Sequence, residues 1–228
     1  MTQPAPESGT FGVPEPEPRT TVVRGRRALG KAVANRVRPL QRLSLQDVPA
    51  AVRTLAVLRR AVGSPPGSDP EIWAETIDLV PEDEVGRGDD PSPSELAAHH
   101  AMTLFALHRQ GRCAQAHVDN VAPGTAFVSV ARKRGGGEAD SEGVRRRFDA
   151  LVTALRPEEA AHHLRGLVLL ARSEDVGFDY GYLADDLRDL WSQSPRARHQ
   201  VRLRWARQYR GFRPAAEPEP TSPTNPQE

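Results

Sequence analysis

"VRLRWARQYR", Val201 to Arg210, packs four arginines and two aromatics into ten residues without one acid. At 100° per residue, Val201, Trp205, Gln208 and Phe212 fall within about 60° of one another, while Arg196, Arg204, Arg207 and Arg210 lie elsewhere on the wheel. The stretch therefore reads as part of an amphipathic helix from about Arg196 to Phe212, whose tryptophan faces a core and whose arginines stand in water. Burying that tryptophan contributes roughly 2 to 3 kcal/mol, enough to hold the arginines on a fixed platform.

The same period extends outward from this helix. Tyr180 to Trp191 and Glu158 to Ser173 read as helices, the latter burying Leu164, Leu167, Val168 and Ala171. Before them Val144, Phe148, Leu151, Val152 and Leu155 form one apolar face. Arg145, Arg146 and Arg147 open that helix at the end where the helix dipole disfavours cations, which points to a partner outside the helix. Nearer the N-terminus, helices are expected at about Val22 to Arg42 and Leu45 to Val62, the second with a stripe of Val48, Val52, Leu55 and Leu58 or Arg59.

"GSPPGSDP" stops the second helix. Asp69 and Pro70 suit the N-cap and first turn of a short helix through Trp73 and Ile77. An acidic loop, "PEDEVGRGDDPSPS", leads to Ser94, the expected cap of a helix from Glu95 to about Gln110 that buries Leu96, Met102, Leu104, Phe105 and Leu107. Gly111 is its left-handed terminator. "TAFVSVARKRGGG" has no strand partner and reads as a helix start followed by a basic, glycine-rich loop.

Helical spacing without a strand pair makes the expected fold class all-α, and the length suits one compact domain or two small ones. Residues 1–20 and 214–228, rich in Pro, Glu, Ser and Thr, cannot offset the entropy of ordering and are expected to be disordered tails. No apolar run approaches the ~20 residues needed to cross a bilayer, and no basic-then-apolar leader opens the chain. The single cysteine, Cys113, cannot form an internal disulfide; it is expected as a small buried or partly buried residue in a cytoplasmic protein.

A formal net charge of +1 hides strong segregation. Arg19 to Ser64 holds eleven basic residues against Asp47 alone, Asp69 to Glu95 holds ten acids against Arg87 alone, and Arg196 to Arg213 holds seven arginines and no acid. Such blocks create local potentials that attract polyanions, unless they pair with acids of the same chain. Chemistry beyond charge is absent from the pattern. His99 with His100, and His162 with His163, are adjacent and point about 100° apart, so neither pair can chelate one metal. "RKRGGG" lacks the Walker spacing, and no nucleophile motif occurs, so no catalytic residue, metal or cofactor is expected. Arginine on helical surfaces suits phosphate, because planar guanidinium donors match phosphate oxygens two at a time. With few exposed aromatics to stack on bases, contact is expected with the backbone, independent of sequence and sensitive to salt.

The ordered series "VRPLQRLSLQDVPAAVRTLAVLRRAVGSPPGSDPEIW", "RRRFDALVTA", "HHLRGLVLLARSEDVGFDYGYLADDLRDLW" and "HQVRLRWARQY", running from about Leu29 to Tyr209, resembles the CasB family, the small subunit of the type I-E CRISPR surveillance complex Cascade. The resemblance implies a non-catalytic, all-helical subunit of two packed helical bundles, at 21–118 and 119–213, that joins other Cascade subunits as a pair of copies. It would stabilise unwound target DNA by contacting guide RNA and DNA backbones, while guide pairing supplies sequence recognition. Position by position, it points to Arg59 and Arg60, Arg146 and Arg147, Arg165, and Arg196, Arg198, Arg202, Arg204 and Arg207. Where the family commonly has a Gly-Arg step, this chain has "TAFVSVARKR", so contact there shifts to Arg132, Lys133 and Arg134. The alternative is a helical interaction scaffold whose acidic and basic blocks pair between copies.

Overall fold

The computed structural model describes residues 24–111, 114–136 and 141–211. The expected tails, Cys113 and Phe212 lie outside the described residues. Regular structure within them is helical: α1 (Ala28–Leu45), α2 (Pro49–Arg60), α3 (Pro93–Arg109), α4 (Pro123–Arg134), α5 (Glu142–Thr153), α6 (Pro157–Ser173), α7 (Tyr180–Leu190) and α8 (Pro195–Gly211). Short 3-10 turns cover Pro70–Glu75, Ile77–Leu79 and Glu82–Glu84. The one extended pairing among the described residues is an isolated parallel bridge between His117 and Phe178.

Helix starts follow proline. Pro49, Pro93, Pro123 and Pro157 each occupy the first turn of their helices, and α8 begins at Pro195, where the missing N–H has no intrahelical partner to lose. Asp69 caps the first 3-10 turn as expected, accepting from Glu71 N at 3.0 Å. The cap of α3, however, is Ser92 rather than Ser94. Its hydroxyl accepts from Glu95 N at 3.1 Å while Glu95 accepts from Ser92 N at 2.6 Å, a reciprocal capping box. Ser94 lies inside the first turn, buried, and donates to Glu84.

Four other expectations shift. α1 begins at Ala28, not Val22, because residues 24–27 form an extended arm. In α2 Ala51, Leu55, Val57 and Leu58 face inward and Val52 is exposed. Arg132, Lys133 and Arg134 form the last turn of α4 rather than a loop, since Gly135 and Gly136 (φ 77°) come after them to end the helix. Leu155 lies beyond the end of α5 and is 87% exposed, not part of its apolar face.

The packing hinges on α7, buried from Tyr180 through Leu187. It lies against α1, α3 and α8, so a helix late in the chain packs on the earliest ones. The close approach to α1 requires two glycines: a Cβ on Gly30 would sit 2.6 Å from the Gly181 carbonyl. α5 packs on α6 and α4 on α8, and α3 with α6 joins the two groups through one continuous core. A row of rings threads it, from Phe105 to Tyr180 (5.4 Å), Phe178 (4.6 Å), Phe127 (5.6 Å), Phe148 (6.1 Å) and Trp205 (6.3 Å). The opening tryptophan thus ends a chain of contacts that begins in α3.

Candidate nucleic-acid interface

α8 is fixed by Val201 and Trp205, both fully buried. Ser194 caps it, accepting from Ala197 N at 3.3 Å. Gln208, on the same face, accepts from Gly124 N at 3.3 Å and ties the helix to α4. Around this anchored face the arginines divide. Arg196, Arg207 and Arg210 are exposed. Arg198 donates to the Ser192 carbonyl at 2.8 Å and Arg202 to the Ala154 carbonyl at 3.1 Å, so both are half-buried yet keep their charge uncompensated. Arg204 is different: it pairs with Asp186, a fully buried carboxylate that also accepts from Trp205 Nε1 at 2.7 Å and from Arg24. Not every arginine of α8 stands in water, because the tryptophan's own hydrogen-bond acceptor draws one of them inward.

Side chains link α5 and α8: Phe148 stacks on Tyr209 at 4.6 Å, and Arg202 reaches the end of α5. Arg145, Arg146 and Arg147 are exposed at the start of α5. Arg146 forms an exposed pair with Glu142 at 2.6 Å, a contact of small net value in water. Arg147 lies across α6, where a Cβ at Gly166 would meet its Cδ at 2.7 Å; the absent side chain makes the seat for it, one residue from exposed Arg165. In α4 Lys133 donates to the Glu174 carbonyl at 2.8 Å and Arg134 pairs with the Glu174 carboxylate at 3.0 Å, while Arg132 is half-buried. On α2 exposed Arg60 reaches Glu71 at 3.4 Å, and Arg59 is half-buried with no ion pair among the described residues.

Five arginines of the N-terminal basic block have another fate, while Lys31, Arg42 and Arg53 of the same block stay exposed. Arg26 bridges Asp179 and Asp119, Arg38 pairs with Asp119 at 2.7 Å, Arg27 with Asp189 at 2.6 Å, Arg24 with Asp186, and Arg36 with Glu75. Asp185 caps α1 from across the fold, accepting from Arg27 N at 2.8 Å and Gly30 N at 3.0 Å, which explains why the helix starts where it does. Burial pushes the Asp185 carboxyl upward, and these backbone donors with Arg27 and Arg24 oppose it. The Arg38 hydrogen bond, aided by His117 and Arg26, holds Asp119 far below the usual carboxylate range. These α7 and loop carboxylates were missed by reasoning from charge blocks. The signal was present, since acids inside the apolar run "YGYLADDLRDLW" must find partners when buried.

Buried His108 and half-buried His100 add pH sensitivity to the fold. His108 Nδ1 lies 2.9 Å from the Tyr180 hydroxyl, and His100 packs edge-on to Trp191 at 5.1 Å. Burial lowers both to about 4, with nearby Arg172 contributing at His108 and His99 at His100. Among the described residues no group of His, Cys, Asp and Glu could hold a metal, and no helix is long and apolar enough to cross a membrane.

A family model described as CRISPR-associated protein Cse2 matches residues 54–209. Among solved structures, CasB from Thermobifida fusca is similar at 29% identity, covering 81% of this chain and 99% of that one, with a TM-score of 0.65. A CRISPR-associated protein of the Cse2 family from Thermus thermophilus is 30% identical over 81% of this chain and 99% of its own, with a TM-score of 0.56. A chain of a CRISPR RNA-guided surveillance complex shares the fold at 21% identity over 79% of this chain and 95% of its own, with a TM-score of 0.56. No curated protein sequence matches.

Proposed function

This chain belongs to the Cse2 family of CRISPR-associated proteins, and from that premise we propose that it is the non-catalytic small subunit of a type I-E Cascade ribonucleoprotein in antiviral defence. It works in the cytoplasm beside the other Cascade subunits and a second copy of itself. It holds guide RNA and target DNA by their phosphates and so stabilises the R-loop, leaving sequence recognition to base pairing.

One observation carries this reading. Arg147, Arg165, Arg196 and Arg207 are exposed and have no ion pair among the described residues, although the chain holds thirty acids. An unpaired guanidinium on a rigid helix is pre-organised for phosphate oxygens. The other members of the set fall in order behind them. Arg146 and Arg60 have only exposed acid partners; Arg198, Arg202 and Lys133 rest on neutral carbonyls; Arg134 and Arg204 must exchange a carboxylate for phosphate. Arg132 and Arg59 are half-buried and complete the set.

The test is reconstitution with the partner subunits and guide RNA, using Arg146→Glu with Arg147→Glu. The reading expects a complex that assembles and loses target-DNA affinity. Loss of assembly itself would favour the interaction scaffold, and cleavage of guide RNA by the purified chain would favour an enzyme.

A further inference from the structure

Between α3 and the first half of α6 lies a cleft of about 440 Å³, edged by the turn that follows α2 and by prolines. Its size is that of a small-ligand site. The α3 wall presents Leu96, His100 and Leu104 at four-residue spacing. The α6 wall presents Glu158, Ala161, His162 and Arg165, a face separate from the one that α6 buries.

The polar groups on these two walls are idle. His100 meets His99 and Trp191 edge-on at 5.6 and 5.1 Å, yet its ring makes no hydrogen bond among the described residues. It is uncharged at neutral pH, because burial and His99 lower it to about 4. The side chains of Glu158, His162 and Arg165 likewise make neither hydrogen bond nor ion pair among the described residues. Other polar groups of α6 are occupied: Glu159 accepts from Leu155 N at 3.3 Å, and Arg172 donates to Gln110 at 3.1 Å. Glu158 and Arg165 stand about 10 Å apart along the helix axis, so neither neutralises the other.

We propose that this cleft takes one unpaired nucleobase of a single strand. The ring lies between the apolar walls and against the His162 imidazole, an exocyclic amino group donates to the Glu158 carboxylate, and the nucleotide's own phosphate stays at the mouth on Arg165. The inference rests on the nucleic-acid reading above and adds a base contact to it. A carboxylate and a guanidinium so far apart suit a guest with a donor at one end and an anion at the other, which a nucleotide is and a fatty chain or simple anion is not. Imidazole stacks on bases, and carboxylates accept from the cytosine amino group. Pairing would occupy that amino group, so the guest is an unpaired base. Arg165 joins the cleft to the candidate interface, since Arg147 lies over Gly166 beside it.

The experiment measures anisotropy of three labelled strands of equal length with the full chain: oligodeoxycytidine, oligothymidine and an abasic strand of tetrahydrofuran units. All three carry the same phosphates. The wild type is expected to bind the cytosine strand at least about fivefold tighter than the abasic one, the low end for one stacked base, with the thymine strand between them. Ala161→Phe, which fills the cleft, should bring the cytosine strand down to the abasic affinity and leave the abasic affinity as it was. Glu158→Ala should bring the cytosine strand down to the level of thymine. Equal wild-type affinity for the cytosine and abasic strands overturns the base cleft and leaves the phosphate reading standing. A cytosine preference that survives Ala161→Phe overturns it too. Should Ala161→Phe lower the thermal midpoint, Glu158→Ala decides: losing the preference for cytosine over thymine at an unchanged midpoint upholds the cleft, and keeping it sinks the proposal. A wild type that binds no strand overturns both readings.

Discussion

Arginine is dense in two regions of this protein and does two different things. In the N-terminal arm and α1, Arg24, Arg26, Arg27, Arg36 and Arg38 turn inward to Asp119, Asp179, Asp186, Asp189 and Glu75. On α5, α6 and α8, Arg147, Arg165, Arg196 and Arg207 face solvent without an acid among the described residues. The difference teaches that a run of positive charge is not a footprint. What decides is whether the fold delivers a carboxylate to it. Here α7 and its cap bring Asp179, Asp185, Asp186 and Asp189 to the first region, while α8 receives only a share of Asp186, at Arg204.

The widest separation between the regions should come from that shared aspartate. Asp186→Ala strands Arg204 and the Trp205 indole N–H together and leaves Arg24 only Asp185, at 4.0 Å. Removing one side of a buried ion pair costs about 3 to 5 kcal/mol, so chemical denaturation should show a loss of that size. A loss below about 1 kcal/mol would mean the inward arginines are surface pairs after all.

Acid should produce the next largest effect, and on the core alone. His100 and His108 titrate near 4 in the fold, below an ordinary value near 6.5. Their contribution is complete above the ordinary value and is lost as pH falls from about 6.5 toward 4, because the unfolded chain then binds protons that the native chain refuses. Each contributes a slope of up to about 1.4 kcal/mol per pH unit in that window. The arginines keep their charge throughout, so oligonucleotide binding by the chain that remains folded should not weaken over the same range. Binding that fails at a pH where the thermal midpoint still holds would contradict the division.

The smallest effect on stability belongs to the outward set. Arg147→Gln or Arg207→Gln should move stability by no more than about 0.5 kcal/mol while flattening the salt slope by about 0.7. A stability loss comparable to that of Asp186→Ala would place these residues in the structural network.

Much of the fold was legible because its signals are local. The 3.6-residue period placed α5 to α8 nearly to the residue, and Gly111 does end α3 with φ at 65°. Boundaries slipped where a local rule was applied too narrowly. Pro93, Pro157 and Pro195 mark their helix starts as Pro70 does its own, and Ser92, not Ser94, stands one residue before such a proline. Other features lay beyond any local signal. The start of α1 is set by Asp185, more than 150 residues away, and the packing of α7 on α1 depends on the Gly30–Gly181 approach. For the candidate interface, the sequence displays which residues carry charge, but Arg204 and Arg207, three positions apart, differ only in whether Asp186 is within reach.

The central claim is that outward guanidinium groups, and not overall positive charge, hold the nucleic acid. It is met most directly by comparing Arg147→Gln/Arg165→Gln/Arg207→Gln with Arg24→Gln/Arg26→Gln/Arg38→Gln, measuring oligonucleotide affinity and thermal midpoint for each at one salt concentration. Both remove three positive charges. The account predicts that the first set loses affinity and keeps its midpoint while the second loses its midpoint first. Equal losses of affinity in both sets, with both midpoints intact, would contradict it.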